Sequence, residues 1–134
     1  MTASNNWLVA VNNPEGIFAI YGKDVPSLIG VELHEISLSR NAASVALRFD
    51  TLSYPESPPQ KWKDAGFDRV QLTLEFGVAQ ELNIVNWTNF CKFDLAIKKE
   101  GNMVRLKSSN GPVQIELLAM VSQIKNISAY VLVK

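Results

Sequence analysis

The chain has 134 residues, with 13 basic and 13 acidic side chains, one histidine, one cysteine and 47% hydrophobic residues. That length suffices for one domain, residues 1–134, whose core is held by packing alone. Balanced charge leaves no basic excess to hold a phosphate backbone and no acidic excess to imitate one.

A lone Cys91 excludes an internal disulfide and suits a reducing compartment, read here as the cytoplasm. No basic segment followed by an apolar run opens the chain, so no secretory leader is expected. No apolar stretch has the length of a membrane span. The sequons Asn86-Trp87-Thr88 and Asn126-Ile127-Ser128 are then chance matches.

Asn13-Pro14-Glu15 predicts a helix start, with Asn13 as N-cap, Pro14 at the first helical position and an acid in the first turn. Ile17, Phe18, Ile20 and Tyr21 follow, and Gly22 reads as the stop. Two turns do not hold alone, so these side chains, with Trp7, are expected to pack on a sheet. Residues 23–30 form a loop. Val31, Leu33, Ile36 and Leu38 form a strand whose phase slips at His34-Glu35. Either a β-bulge sits there or the strand starts near Glu35. A turn at residues 40–44 brings back Val45, Leu47 and Phe49 as a hairpin partner.

Residues 54–76 organise the rest. Pro55, Pro58 and Pro59 exclude a helix interior and make a rigid loop that carries Lys61 and Trp62. Val70, Leu72, Leu74 and Phe76 then alternate with Gln71, Thr73 and Glu75, the period of a strand with one buried face. Gly77 predicts a tight turn, and Leu82 and Ile84 a further strand ending near Trp87. Phe93, Leu95 and Ile97 alternate again, turn at Glu100-Gly101, and return as Val104 and Leu106. Asn110-Gly111 is the strongest hairpin signal, with Pro112 opening the strand of Val113, Ile115 and Leu117. Residues 120–133 suit a helix by the spacing of Ile124 and Ile127, but β-branched residues favour a strand. The expected fold is α+β and mostly β: one short N-terminal helix on about eight antiparallel strands in a meander, as a curled sheet or two layers.

Reactive chemistry is poorly supplied. His34 sits in a strand-like stretch beside Glu35 with no nucleophile motif near it, which reads as a bulge-associated histidine. One histidine and one cysteine far apart do not make a metal site, and Cys91 reads as structural. No phosphate loop is present and the carboxylates are scattered, so no cofactor and no catalytic residue is assigned. Trp62 is a lid over the core or an exposed anchor, with the lid favoured; Trp87 has the same two readings.

Trp7, Asn13-Pro14, Tyr21-Gly22, Leu33-His34-Glu35-Ile36, Pro58-Pro59-Gln60-Lys61-Trp62, Phe67-Asp68-Arg69-Val70 and Leu82-Asn83-Ile84 follow one another in an order that resembles the immunity protein 50 family of bacterial polymorphic toxin systems. The Pro-Pro-x-Lys-Trp segment is its most specific part. Where the family shows glycine at the first hairpin turn, this chain has Asn41-Ala42-Ala43. The resemblance implies an interaction protein, not an enzyme, that binds a cognate toxin domain and covers its active site. Charge balance and the lack of a membrane-length apolar stretch lead to the expectation of no nucleic acid and no membrane partner, and a homo-oligomer is possible but not indicated. The resemblance carries over no contact positions; the loops holding Trp62, Lys61, Asp64, Asp68, His34 and Glu35 are the candidate contacts. The alternative is a β module that binds a small apolar ligand or a sugar in a cavity or on an aromatic-lined face.

Overall fold

The computed structural model describes residues 3–131. Its chain runs through a 3-10 helix Ala3–Ala10, α1 Glu15–Tyr21, β1 Val31–Ser39, β2 Ser44–Asp50, α2 Gln60–Ala65, β3 Arg69–Val85, β4 Lys92–Glu100, β5 Met103–Ser109 and β6 Gln114–Tyr130. The strands close into an antiparallel barrel in the order β1-β2-β3-β6-β5-β4. Two three-stranded meanders are thus joined by the long β3·β6 ladder. The seam between β1 and β4 is short, with the pairs Val31↔Phe93 and Glu32↔Lys92.

Alternation along each strand turns one side chain in two toward the axis. Phe49, Phe76, Phe93, Leu72, Leu106 and Leu117 fill that axis and are almost fully buried. A ligand module of the cavity form needs a hollow between the layers; here that space is packed with rings and branched chains.

Six strands replace the expected eight because two pairs of expected strands are continuous. Gly77 does not turn the chain. It stays in the ladder opposite Val121, where a Cβ would come 2.9 Å from Val121 Cγ2. Glycine serves close approach there, and β3 runs on through Leu82 and Ile84. Likewise β6 carries Ile115, Leu117, Ile124 and Ile127 on one strand. Pro112 lies in the preceding loop, not in the strand.

The β-bulge at His34 is present: β1 shifts register against β2 between Leu33 and Glu35. Two further shifts occur in the β3·β6 ladder, between Thr73 and Leu74 and between Ala79 and Glu81. The first leaves Lys125 as the extra residue on β6, so Ile124 and Ile127 point inward three residues apart. That spacing is the one that also suits a helix.

The first hairpin turn departs from glycine but keeps a glycine-like backbone. Ala42 and Ala43 sit at φ 57° and 46°, a conformation that costs an L-residue roughly 1 kcal/mol. Gly22 ends α1 as expected, its N–H donating to the Phe18 carbonyl at 2.9 Å.

Asn13 is not the N-cap of α1; Pro14 holds that position and no side chain caps it. Instead Asn13 Nδ2 donates to the Ile124 carbonyl at 2.9 Å, and the Ile124 N–H donates to Asn13 Oδ1 at 2.7 Å. The Asn12 N–H donates to the Ser122 carbonyl at 2.9 Å, and Ser122 Oγ donates to the Ala10 carbonyl. Residues 10–13 therefore seal the β6 edge beyond its pairing with β5, where bare backbone groups would otherwise remain.

Candidate functional site

Outward-facing positions on the first meander collect polar side chains. Asp50 ends β2 opposite Glu32 on β1 and Gln71 on β3. Although it sits on the outer face, only 2% of it is exposed, because three side chains close over it. His34 Nε2 lies 3.1 Å from Asp50 Oδ2. Tyr130 donates its hydroxyl to the same oxygen. Gln71 Nε2 donates to Asp50 Oδ1 at 3.2 Å. Arg48 extends the network, donating to Glu35 Oε1 and to Gln71 Oε1, each at 3.3 Å. The bulge places His34 here. The extra residue on β1 aims its ring along the outer face, where a regular ladder residue would stand upright.

A buried carboxylate is tolerated only when its oxygens are bonded, and here both are. Burial first, then the Asp50 hydrogen bond and charge, push the Tyr130 phenol up to about 12. Burial also pushes the Tyr21 phenol up to about 12 against the opposing bond to Thr51; that hydroxyl donates to the Ser53 carbonyl at 2.8 Å. Both folded-state values lie above the ordinary phenol value of about 10. Their contribution to stability is therefore complete below pH ~10 and lost as pH rises through the folded value. Denaturant midpoints are expected to fall between about pH 10 and pH 12, alongside phenolate absorbance from Tyr21 and Tyr130 appearing late. A flat midpoint across that window contradicts the assignment.

On its other side His34 borders the loop of residues 86–91. Leu33, His34, Trp87, Thr88, Phe90 and Cys91 line a shallow hollow of about 370 Å³. The Leu33 N–H donates to the Cys91 carbonyl at 2.8 Å and holds the loop against β1. Phe90 packs edge-on against Phe93 with ring centroids 5.6 Å apart. Trp87, by contrast, stands 56% exposed. The loop is tethered at its inner ring and presents its outer one.

Trp62 takes the lid role. It is 6% exposed, sits on α2, and packs against Tyr54 with centroids 6.3 Å apart. The proline loop is therefore not followed directly by β3: Pro59 ends it and α2 begins at Gln60. Lys61 and Asp64 are exposed on α2, and Gln60 Nε2 donates to Asp64 Oδ1 at 2.9 Å. Asp68 is exposed just before β3, with its N–H donating to the Tyr130 carbonyl at 3.1 Å. Five of the six candidate contacts thus remain surface residues, and Tyr130 links Asp68 to the Asp50 cluster. Asp50 and Tyr130 carried no signal of a shared site in the sequence.

Among the described residues, no group of three or more His, Cys, Asp and Glu is arranged to hold a metal. No helix of these residues is long and apolar enough to cross a membrane.

The fold and this surface define a small antiparallel β-barrel domain with a packed axis and its polar and aromatic features laid on the outside. A family model described as Immunity protein 50 matches residues 13–130. The chain belongs to the immunity protein 50 family. No curated protein and no solved structure matches the chain.

Proposed function

We propose that this protein neutralises a cognate bacterial toxin domain in the cytoplasm by docking onto it and covering its active site, without chemistry of its own. The exposed ring of Trp87 carries the reading. A tryptophan left 56% in water on a loop pinned to β1 gains by burial against a partner, and aromatic anchors of this kind dominate interface energies. Around it, His34 is held in place by buried Asp50 and Glu35 by Arg48, so polar contacts at the rim are already oriented. Exposed Lys61 and Asp64 on α2, and Asp68 bonded to Tyr130, supply further contacts. Trp62 contributes from beneath, by holding α2. A tight complex of standard size needs roughly 800 Å² from each partner.

Co-expression with the toxin domain encoded beside the gene, followed by pull-down and a survival assay, tests the proposal. The wild-type chain is expected to bind and protect. Trp87→Ala is expected to weaken binding by roughly 30-fold, the effect of losing about 2 kcal/mol at an anchor, with an unchanged melting temperature. A wild-type chain that neither binds nor protects overturns the proposal.

A further inference from the structure

Beyond Phe93 one edge of β4 has no strand partner, and the 3-10 helix Ala3–Ala10 packs beside it. The two-residue turn at Gly101 and Asn102 makes Glu100↔Met103 and Lys98↔Arg105 the pairs that exchange hydrogen bonds with β5. Alternate residues therefore turn their N–H and C=O to the opposite side. At Leu95 that side is occupied, since its N–H donates to the Leu28 carbonyl at 2.9 Å. At Ile97 and Lys99 no such bond is made among the described residues. β1 pairs with β4 only as far back as Phe93.

Beside this edge runs a groove of about 670 Å³, lined by Trp7, Val9, Ala10, Ile29 and the β4 edge itself. Val9 is 71% and Ile29 48% exposed. Charge along the hairpin is one-sided: residues 92–109 hold five basic side chains (Lys92, Lys98, Lys99, Arg105, Lys107) and two acidic ones (Asp94, Glu100), a net of +3 in a neutral chain. Arg105 is matched by Glu100 and Glu116. Lys98 and Lys99 have no ion-pair partner among the described residues.

From this we infer that the β4 edge is a strand-addition site for an extended acidic–apolar segment of a partner protein. The segment bonds to the free groups of Ile97 and Lys99. It sets an apolar side chain opposite Ile97 in the groove and a carboxylate opposite Lys98. A second copy of this chain does not fit. The pairing that uses the free groups of both copies, Ile97 against Lys99, places the two Lys98 side chains directly opposite each other, and like charges there are repulsive. Lysine on an edge guards against self-pairing, and here it also selects the partner's sign. The site begins about 20 Å along β4 from the Trp87 loop, at a strand rise near 3.3 Å per residue. It therefore stands or falls separately from the toxin reading.

The test uses the full chain and two synthetic octapeptides, one alternating valine with glutamate and one alternating valine with lysine. Amide NMR and hydrogen exchange on titration are expected to show saturable binding of the valine–glutamate peptide at low salt, with new protection centred on the Ile97 and Lys99 amides. The double variant Lys98→Glu, Lys99→Glu, both exposed positions, is expected to bind that peptide about tenfold more weakly and to gain affinity for the valine–lysine peptide, at an unchanged melting temperature. Absence of saturable binding at millimolar peptide overturns the inference. So does protection centred elsewhere, or equal binding of the two peptides by the wild-type chain.

Discussion

Trp62→Ala is expected to lower stability by about 3–5 kcal/mol, the usual cost of emptying a buried aromatic site. The ring is 6% exposed and joins α2 to Tyr54. α2 is a six-residue helix, too short to persist without packing. Removing the ring therefore empties a cavity and also frees the helix. For a chain of this size the melting temperature falls by roughly 10–20 °C. Lys61→Ala, one residue away and exposed, is the control and should stay within about 0.5 kcal/mol. A normal melt for Trp62→Ala contradicts the lid assignment. Thermal unfolding by circular dichroism reads both variants.

Asp50→Ala is expected to cost about 2–4 kcal/mol, because three neighbours lose their acceptor at once. His34 Nε2 at 3.1 Å, Gln71 Nε2 at 3.2 Å and the Tyr130 hydroxyl all converge on this carboxylate. The tyrosine supplies a second readout. With the carboxylate gone, its hydrogen bond and charge no longer hold the phenol's proton, so Tyr130 should titrate closer to the ordinary value of about 10. Denaturant midpoints and phenolate absorbance test the two effects independently. If the Tyr130 titration stays where it was, burial alone raises it and the Asp50 bond is not the cause. The variant also probes docking: a freed His34 ring loses its fixed orientation beside Trp87, and toxin binding should weaken beyond the change in the folded fraction.

The strands were legible because a one-faced strand repeats every two residues, and that period survives in any sequence long enough to show it. The bulge was legible at His34 because Leu33 and Ile36 are three apart in an otherwise alternating run. The same spacing at Ile124 and Ile127 also suited a helix, yet it is the second bulge, at Lys125. A spacing of three has both meanings, and only the partner strand chooses between them. Gly77 misled for a related reason. A glycine in an alternating run marks either a turn or a close approach, and the Val121 side chain that demands the close approach is 44 residues further on.

The candidate site was less legible than the fold. His34 and Glu35 drew notice through the bulge, and Trp62 and Trp87 through being tryptophans, but the sequence did not say which ring faces inward. Asp50 looked like any outer-face acid at a strand end. Asn13, with the Asn-Pro-Glu pattern of a helix start, bonds instead to an edge formed at the far end of the chain.

Taken by itself, the amino-acid sequence determined the faces: which residues turn inward, where alternation slips, and membership of the immunity protein 50 family through motifs read locally. Tertiary structure alone decided that eight expected strands are six, that Trp62 is covered while Trp87 is not, and that Asp50 is shared by His34 and Tyr130. The reason is one of distance along the chain. Periodicity reports interactions within a few residues, whereas Tyr130 lies 80 residues from Asp50 and Ile124 lies 111 from Asn13. Pairing of β3 with both β2 and β6, and docking of residues 10–13 onto β6, bring such groups within hydrogen-bond reach.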